Sequence, residues 1–400
     1  MIAGTSGATP EERRDRTLPG YVLTPRQGEL ARLQRLRGRA RLEPAEAELL
    51  AAAHDTVPPD AHDEASEALR LLTRPLSRDL DIPEYYRYTC MHVYGWFLDR
   101  FPDDPVAGAL LALHTTLTDL AAVEHAAWLQ DPGLEGGDER IKRLDETVVR
   151  VRGTVLDPVL GVRVGDLVDR AAVDPELGRR TALLAECTRF PRSDKHQENV
   201  FLRTVQACEN LFFLIRRLSV ETAAARDAFP ARAAVRLDLA GDCAELLNDV
   251  FHVLLTLTPE GFMTFRDYTG AASAVQSLNY HAMEISVYGY DPRKTEVFAS
   301  VPHLVVLNDP EVRDHLPLSA ALADTGDERL REGWHRLDRS LAKWRGGHYR
   351  FARTYLPSDT PASGGTDGAA YVKRFVKKDA CVAGADPFGG LPLLSGFLYR

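Results

Sequence analysis

The chain is notable first for what it has little of. Its five cysteines, Cys90, Cys187, Cys208, Cys243 and Cys381, are scattered, and no two form a C-x-x-C pair. That spacing excludes a disulfide frame and a structural zinc site, and fits reduced, mostly buried thiols of a cytoplasmic protein. No basic stripe stands out, and the formal net charge of -9 argues against a nucleic-acid partner. No uninterrupted apolar run reaches bilayer length, so no membrane span is expected. The first twenty residues, MIAGTSGATPEERRDRTLPG, have no apolar core region and do not read as a secretory signal. No repeat of fixed length is visible, and few segments alternate with period two. H-E-x-x-H is absent, and so is a Walker loop.

What is present is a helical pattern over 400 residues, 44% of them apolar and 27% charged. Residues 1–25 are polar and Gly/Pro/Arg-rich, and are expected to form a disordered tail. A mostly helical N-terminal region is expected over 26–190. It includes a charged helix over 27–54, a short helix over 64–76 and the aromatic run IPEYYRYTCMHVYGWF. A long buried helix over 106–129 carries His114 and His125. Residues 151–168 have no clear assignment. After Pro191 the character changes. Helices are expected over 194–226, 232–257, 271–288 and 327–356, within a domain spanning 191–400. The fold class is all-α.

The stretch from Lys343 to Phe375 holds the first candidate site. Leu337, Leu341, Trp344 and His348 fall at steps of four and three, which puts them on one helix face and turns His348 inward. A Gly-rich polar loop, Ser363 to Gly368, follows. An inward histidine there suits a packed core residue, a metal or haem ligand, or an acid/base, and spacing alone favours packing. Ser277, His281 and Glu284 also share a face, as a proton relay or a satisfied polar strip. Gln206 and Glu209 form a similar strip, which spacing assigns to an exposed pair.

Four blocks, taken in order, carry a resemblance: Asn199–Glu209 (NVFLRTVQACE), Phe265–Ile285 (FRDYTGAASAVQSLNYHAMEI), Trp344–His348 (WRGGH) and Gly364–Thr366 (GGT). Together, over roughly 194–376, they resemble the haem-dependent tryptophan 2,3-dioxygenase superfamily. The resemblance implies a helical-bundle domain that binds haem b, with His348 as the axial iron ligand and Trp344 and Gly347 beside the porphyrin. It implies that Phe201 stacks on a substrate ring and that Thr366 sits in a loop closing over an amino-acid head group. Ser277, Val205 and His281 are the other candidate substrate contacts. It also implies a homo-oligomer in which N-terminal segments help complete a neighbour's site.

Two departures bear on activity. Val205 stands where the family has a distal histidine, and His281 where it has the arginine that holds the substrate carboxylate. Histidine cannot reproduce the two-pronged donor of an arginine. The superfamily also contains aromatic hydroxylases of natural-product pathways. With the indole-reading histidine absent, the expectation is ring hydroxylation of tyrosine or a derivative to a catechol, using O2 or H2O2. His281 would then hold the carboxylate or take a proton. The alternatives are an indole oxygenase, with Arg266 or Arg345 holding the carboxylate, and a haem-binding sensor without turnover.

Overall fold

A computed structural model describes residues 23–61, 63–356 and 367–399. Thr366 and most of the Gly-rich loop, and nearly all of the expected N-terminal tail, lie outside the described residues. The all-α expectation holds: a two-stranded hairpin, β1 (Val155–Asp157) and β2 (Val162–Arg163), is the only sheet among the described residues. It occupies the stretch that sequence left unassigned.

The N-terminal region contains α1 (Pro25–Arg37), α2 (Pro44–Asp55), α3 (Glu64–Thr73), α4 (Glu84–Thr89), α5 (Met91–Leu98), α6 (Pro105–Gln130), α7 (Gly137–Gly153), α8 (Val164–Val173) and α9 (Pro175–Glu186). The helix expected over 27–54 is divided between α1 and α2, because Gly38 at φ 79 ends the first and Pro44 opens the second. The aromatic run is likewise broken between α4 and α5 at Cys90, whose φ is 54. By length and composition α6 could cross a membrane, contrary to the sequence reading. Most of its apolar surface is instead buried inside the protein, as in a core helix.

The C-terminal region adds α10 (Gln197–Ala225), α11 (Pro230–Leu254), α12 (Pro259–Arg266), α13 (Leu278–Tyr288), α14 (Thr295–Ser300), α15 (Pro310–Arg313), α16 (Leu318–Ala321), α17 (Glu328–Tyr355), α18 (Ala369–Arg374) and α19 (Leu391–Ser395). α10 is the central element. It packs against α6, α11 and α13, while α17 packs against α11. α17 begins where the Asp327 side chain accepts from the Leu330 amide at 3.2 Å. At its other end the Tyr355 hydroxyl donates to the Leu257 carbonyl.

The helix expected over 271–288 starts later than the pattern suggested. Gly270 sits at φ 61, residues 274–276 form a single 3-10 turn, and α13 begins at Leu278. Ser277 is therefore the N-cap, accepting from the Tyr280 amide at 3.0 Å. α13 ends at Gly289 (φ 100), where an added Cβ would collide with the Val382 carbonyl. Tyr290 and Val382 form a bridge there, which brings the C-terminal segment against the bundle.

One apolar core runs without interruption across residue 190. The polar groups follow it. Arg203 of α10, with a fully buried side chain, donates through Nε to Asp119 of α6 at 3.0 Å, through Nη1 to the Thr188 hydroxyl at 2.6 Å and through Nη2 to the Ala185 carbonyl at 3.0 Å. Removing the carboxylate strands a buried guanidinium. Asp119→Ala should lower stability by about 3–5 kcal/mol, read by urea denaturation. A single transition is expected; separate transitions for the two regions would contradict a shared core.

Candidate functional site

A cavity of about 250 Å³ opens between α10, α11, α13 and α17. α10 contributes Phe201, Thr204, Val205, Cys208 and Phe212, whose steps of three, one, three and four describe a single face. α17 contributes Trp344, Arg345, His348, Phe351 and Ala352 by the same periodicity. Phe251, Phe262, Tyr280 and Tyr371 complete a largely aromatic wall. Tyr85, from α4 of this same chain, also lines the cavity.

The His348 ring is stacked on Trp344, with centroids 5.3 Å apart and planes at 27°. Phe251 meets its edge at 6.2 Å. No hydrogen bond to either ring nitrogen is present among the described residues. Burial pushes its pKa down to about 4, so the ring is neutral near pH 7. The described residues contain no group of three or more His, Cys, Asp or Glu side chains able to hold a metal ion. A metal at His348 would therefore need most of its remaining ligands from a non-protein group. Three further buried polar atoms on the cavity residues lack hydrogen-bond partners among the described residues: Trp344 Nε1, Arg345 Nη1 and the Tyr371 hydroxyl.

His281 lines the cavity, but both of its ring nitrogens are engaged. Nε2 lies 2.8 Å from the Val275 carbonyl, an acceptor only, so it carries the proton. Nδ1 is then the acceptor for the Lys294 ammonium at 3.2 Å. Burial, and next the Lys294 charge, hold its pKa well below the ordinary value. A neutral imidazole with both nitrogens spoken for offers nothing to a substrate carboxylate. This geometry puts Lys294, which the sequence did not mark out, in front of His281.

Ser277 is not on the cavity wall. Besides capping α13, its hydroxyl donates to Glu209. Glu209 also accepts from the Tyr85 hydroxyl at 2.7 Å and from Asn279 Nδ2 at 2.8 Å. Burial lifts its pKa above the usual carboxylate range despite these donors. Gln206 is equally buried, donating to the Thr89 and Thr188 carbonyls at 3.0 and 2.9 Å. The expected exposed pair is thus an interior network, because α10 is covered on nearly all sides. Gly347 lies outside the cavity lining and faces Phe251, where an added Cβ would stand 3.4 Å from the ring.

Of the site residues expected from sequence, the cavity brings together Phe201, Val205, His281, Trp344 and His348. Tyr85 was foreshadowed only by the aromatic density of its segment. Lys294 sits in a Pro-Arg-Lys turn that carries no local signal.

No family model matches the chain. It is similar to three curated proteins, each named tryptophan 2,3-dioxygenase. The one from Anopheles gambiae is 33% identical over 123 residues, covering 27% of this chain and 31% of that protein. The one from Ruegeria pomeroyi is 30% identical over 154 residues, covering 36% and 54%. The one from Xanthomonas euvesicatoria is 42% identical over 57 residues, covering 14% and 19%. The chain thus spans about half or less of the length of these relatives.

The buried imidazoles give a pH prediction. His281 and His348 have folded pKa values below the ordinary value of about 6.5. Below about pH 6.5 the unfolded chain binds protons that these folded sites refuse, so each contributes a loss of stability as pH falls. Their ring proton NMR shifts should stay flat between about pH 5 and 8. A midpoint near the ordinary value for His281 would show that the Lys294 contact is not formed.

Proposed function

We propose that the protein is a haem-dependent oxygenase of an aromatic amino acid, and that the ring it oxidises is an indole. One observation carries the reading: a neutral His348 without a hydrogen-bond partner among the described residues faces an aromatic-walled cavity, and those residues hold no group of three or more metal-ligating side chains. A single imidazole is the protein's share of a five-coordinate haem. The unpaired Arg345 and Trp344 donors and the flat aromatic surfaces of Phe251 and Phe351 suit the polar edge and broad faces of a porphyrin. The similarity to tryptophan 2,3-dioxygenases supports an indole over the phenol that Val205 first suggested.

In this reading the haem supplies oxygen activation. The chain does the rest. His348 would hold the iron through one ring nitrogen. Phe201, Val205, Phe212 and Phe262 hold an apolar ring in place and exclude water. Val205 offers no base to the indole N–H, so the ring is positioned by shape rather than by a hydrogen bond from that side chain. Tyr85 lines the cavity, and its hydroxyl donates to Glu209, which fixes the orientation of the ring.

The test is a product analysis on haem-loaded protein. Tryptophan should give a product carrying two added oxygens with oxygen alone, or one added oxygen with peroxide or with oxygen and a two-electron reductant, read by mass. Dioxygenation needs no outside electrons; insertion of one oxygen from O2 needs two, and peroxide supplies both. Conversion of tyrosine to a catechol, with tryptophan untouched, would instead return the hydroxylase reading. His348→Ala should abolish turnover and lose or shift the Soret band, and an unchanged spectrum would remove His348 as ligand.

A further inference from the structure

Charge is unbalanced at one corner of the cavity. Lys294, Lys378 and Arg345 converge on a single carboxylate, Glu284, and all four side chains are buried. The Lys378 ammonium makes the closest contact to Glu284, while Lys294 Nζ and Arg345 Nη1 each remain 3.8 Å away. The next carboxylate, Asp291, is held by Arg293 through both oxygens at 2.9 and 2.8 Å. Arg345 Nη2 also lies 4.0 Å from Asp338, so the two cations face the cavity with no carboxylate nearer than 3.8 Å among the described residues.

Each is poised rather than satisfied. Lys294 is 3% exposed, and its hydrogen-bond partner among the described residues is the His281 ring, with the faces of Tyr280 and Phe375 at 4.8 and 5.1 Å. Arg345 donates through Nε to the Val376 carbonyl at 3.0 Å and lies over the Tyr288 ring at 4.7 Å, yet its buried Nη1 has no hydrogen-bond partner among the described residues. Burying cations without anions is costly, and the cost disappears when an anion binds. Burial already draws the Lys294 pKa down to about 8, the direction a missing counter-charge predicts.

We propose that Lys294 and Arg345 form a carboxylate-binding corner of this cavity, with His281 as the positioning residue that orients the Lys294 ammonium. This deepens the function proposed above and rests on it. The aromatic walls require that the carboxylate belong to a molecule with a flat apolar body. Two such carboxylates fit, the α-carboxylate of an aromatic amino acid and a porphyrin propionate.

The experiment uses the full-length protein and measures binding rather than turnover. In the wild type, tryptophan is compared with tryptamine and indole-3-propionate with indole-3-propionamide, by Trp fluorescence without haem and by the Soret shift with it. Haemin is compared with its dimethyl ester by Soret titration. The same series is run on Lys294→Met and Arg345→Met, with helicity checked by circular dichroism.

If the corner holds the amino acid, each wild-type carboxylate ligand binds on the order of 10- to 100-fold tighter than its neutral partner. Lys294→Met then erases that difference and leaves haemin affinity unchanged. If it holds a propionate, the variants weaken haemin but not the dimethyl ester. Equal affinities within every wild-type pair overturn the proposal, whether or not the variants fold. An absent Soret band with carboxylate preference intact would overturn the haem reading alone.

Discussion

The structure depends on burying α10 on nearly all sides. A helix in that position turns few of its polar residues to water, and three of those facing inward are held by partners from other elements. Arg203 finds Asp119, Thr188 and the Ala185 carbonyl; Gln206 finds the Thr89 and Thr188 carbonyls; Glu209 finds Tyr85, Ser277 and Asn279. Most of these partners come from the N-terminal half of the chain. The apolar core and the hydrogen bonds thus join the two halves through the same helix, and what remains of the α10 surface is the strip from Phe201 to Phe212 that forms the cavity wall.

The opposite wall obeys a different logic. α17 is amphipathic, with Leu337 and Leu341 fully buried and Trp344 nearly so. One turn further, the same stripe delivers His348 into a space where neither ring nitrogen has a hydrogen-bond partner among the described residues. Beside it, cations outnumber carboxylates. An apolar enclosure that leaves an imidazole, an indole N–H and a guanidinium N–H unpaired is arranged around something other than its own side chains. Under the proposed function, a haem and an aromatic amino acid would together supply the missing partners.

Much of this was legible in the sequence. The periodicity of α10 and α17 and the inward turn of His348 follow from spacing, while the grouping of Phe201 and Val205 with Trp344 follows from the resemblance. Ser277 was misread because a pattern of fours does not reveal that Gly270 and a 3-10 turn delay the start of α13. Gln206 and Glu209 were placed outside because spacing says which residues share a face, not how many neighbours cover it. His281 looked like a ligand-facing base; its two partners, Val275 O and Lys294 Nζ, come from a preceding turn and a following one, beyond any local pattern. Lys294 gave no signal, since a lysine after Pro-Arg ordinarily points to solvent.

The most direct test of the central claim is chemical rescue at His348. In His348→Gly, added haemin should lack the wild-type Soret and charge-transfer bands, and free imidazole should restore them by occupying the vacated position. A wild-type spectrum in His348→Gly without imidazole would contradict the account, because the iron would then be held by another residue.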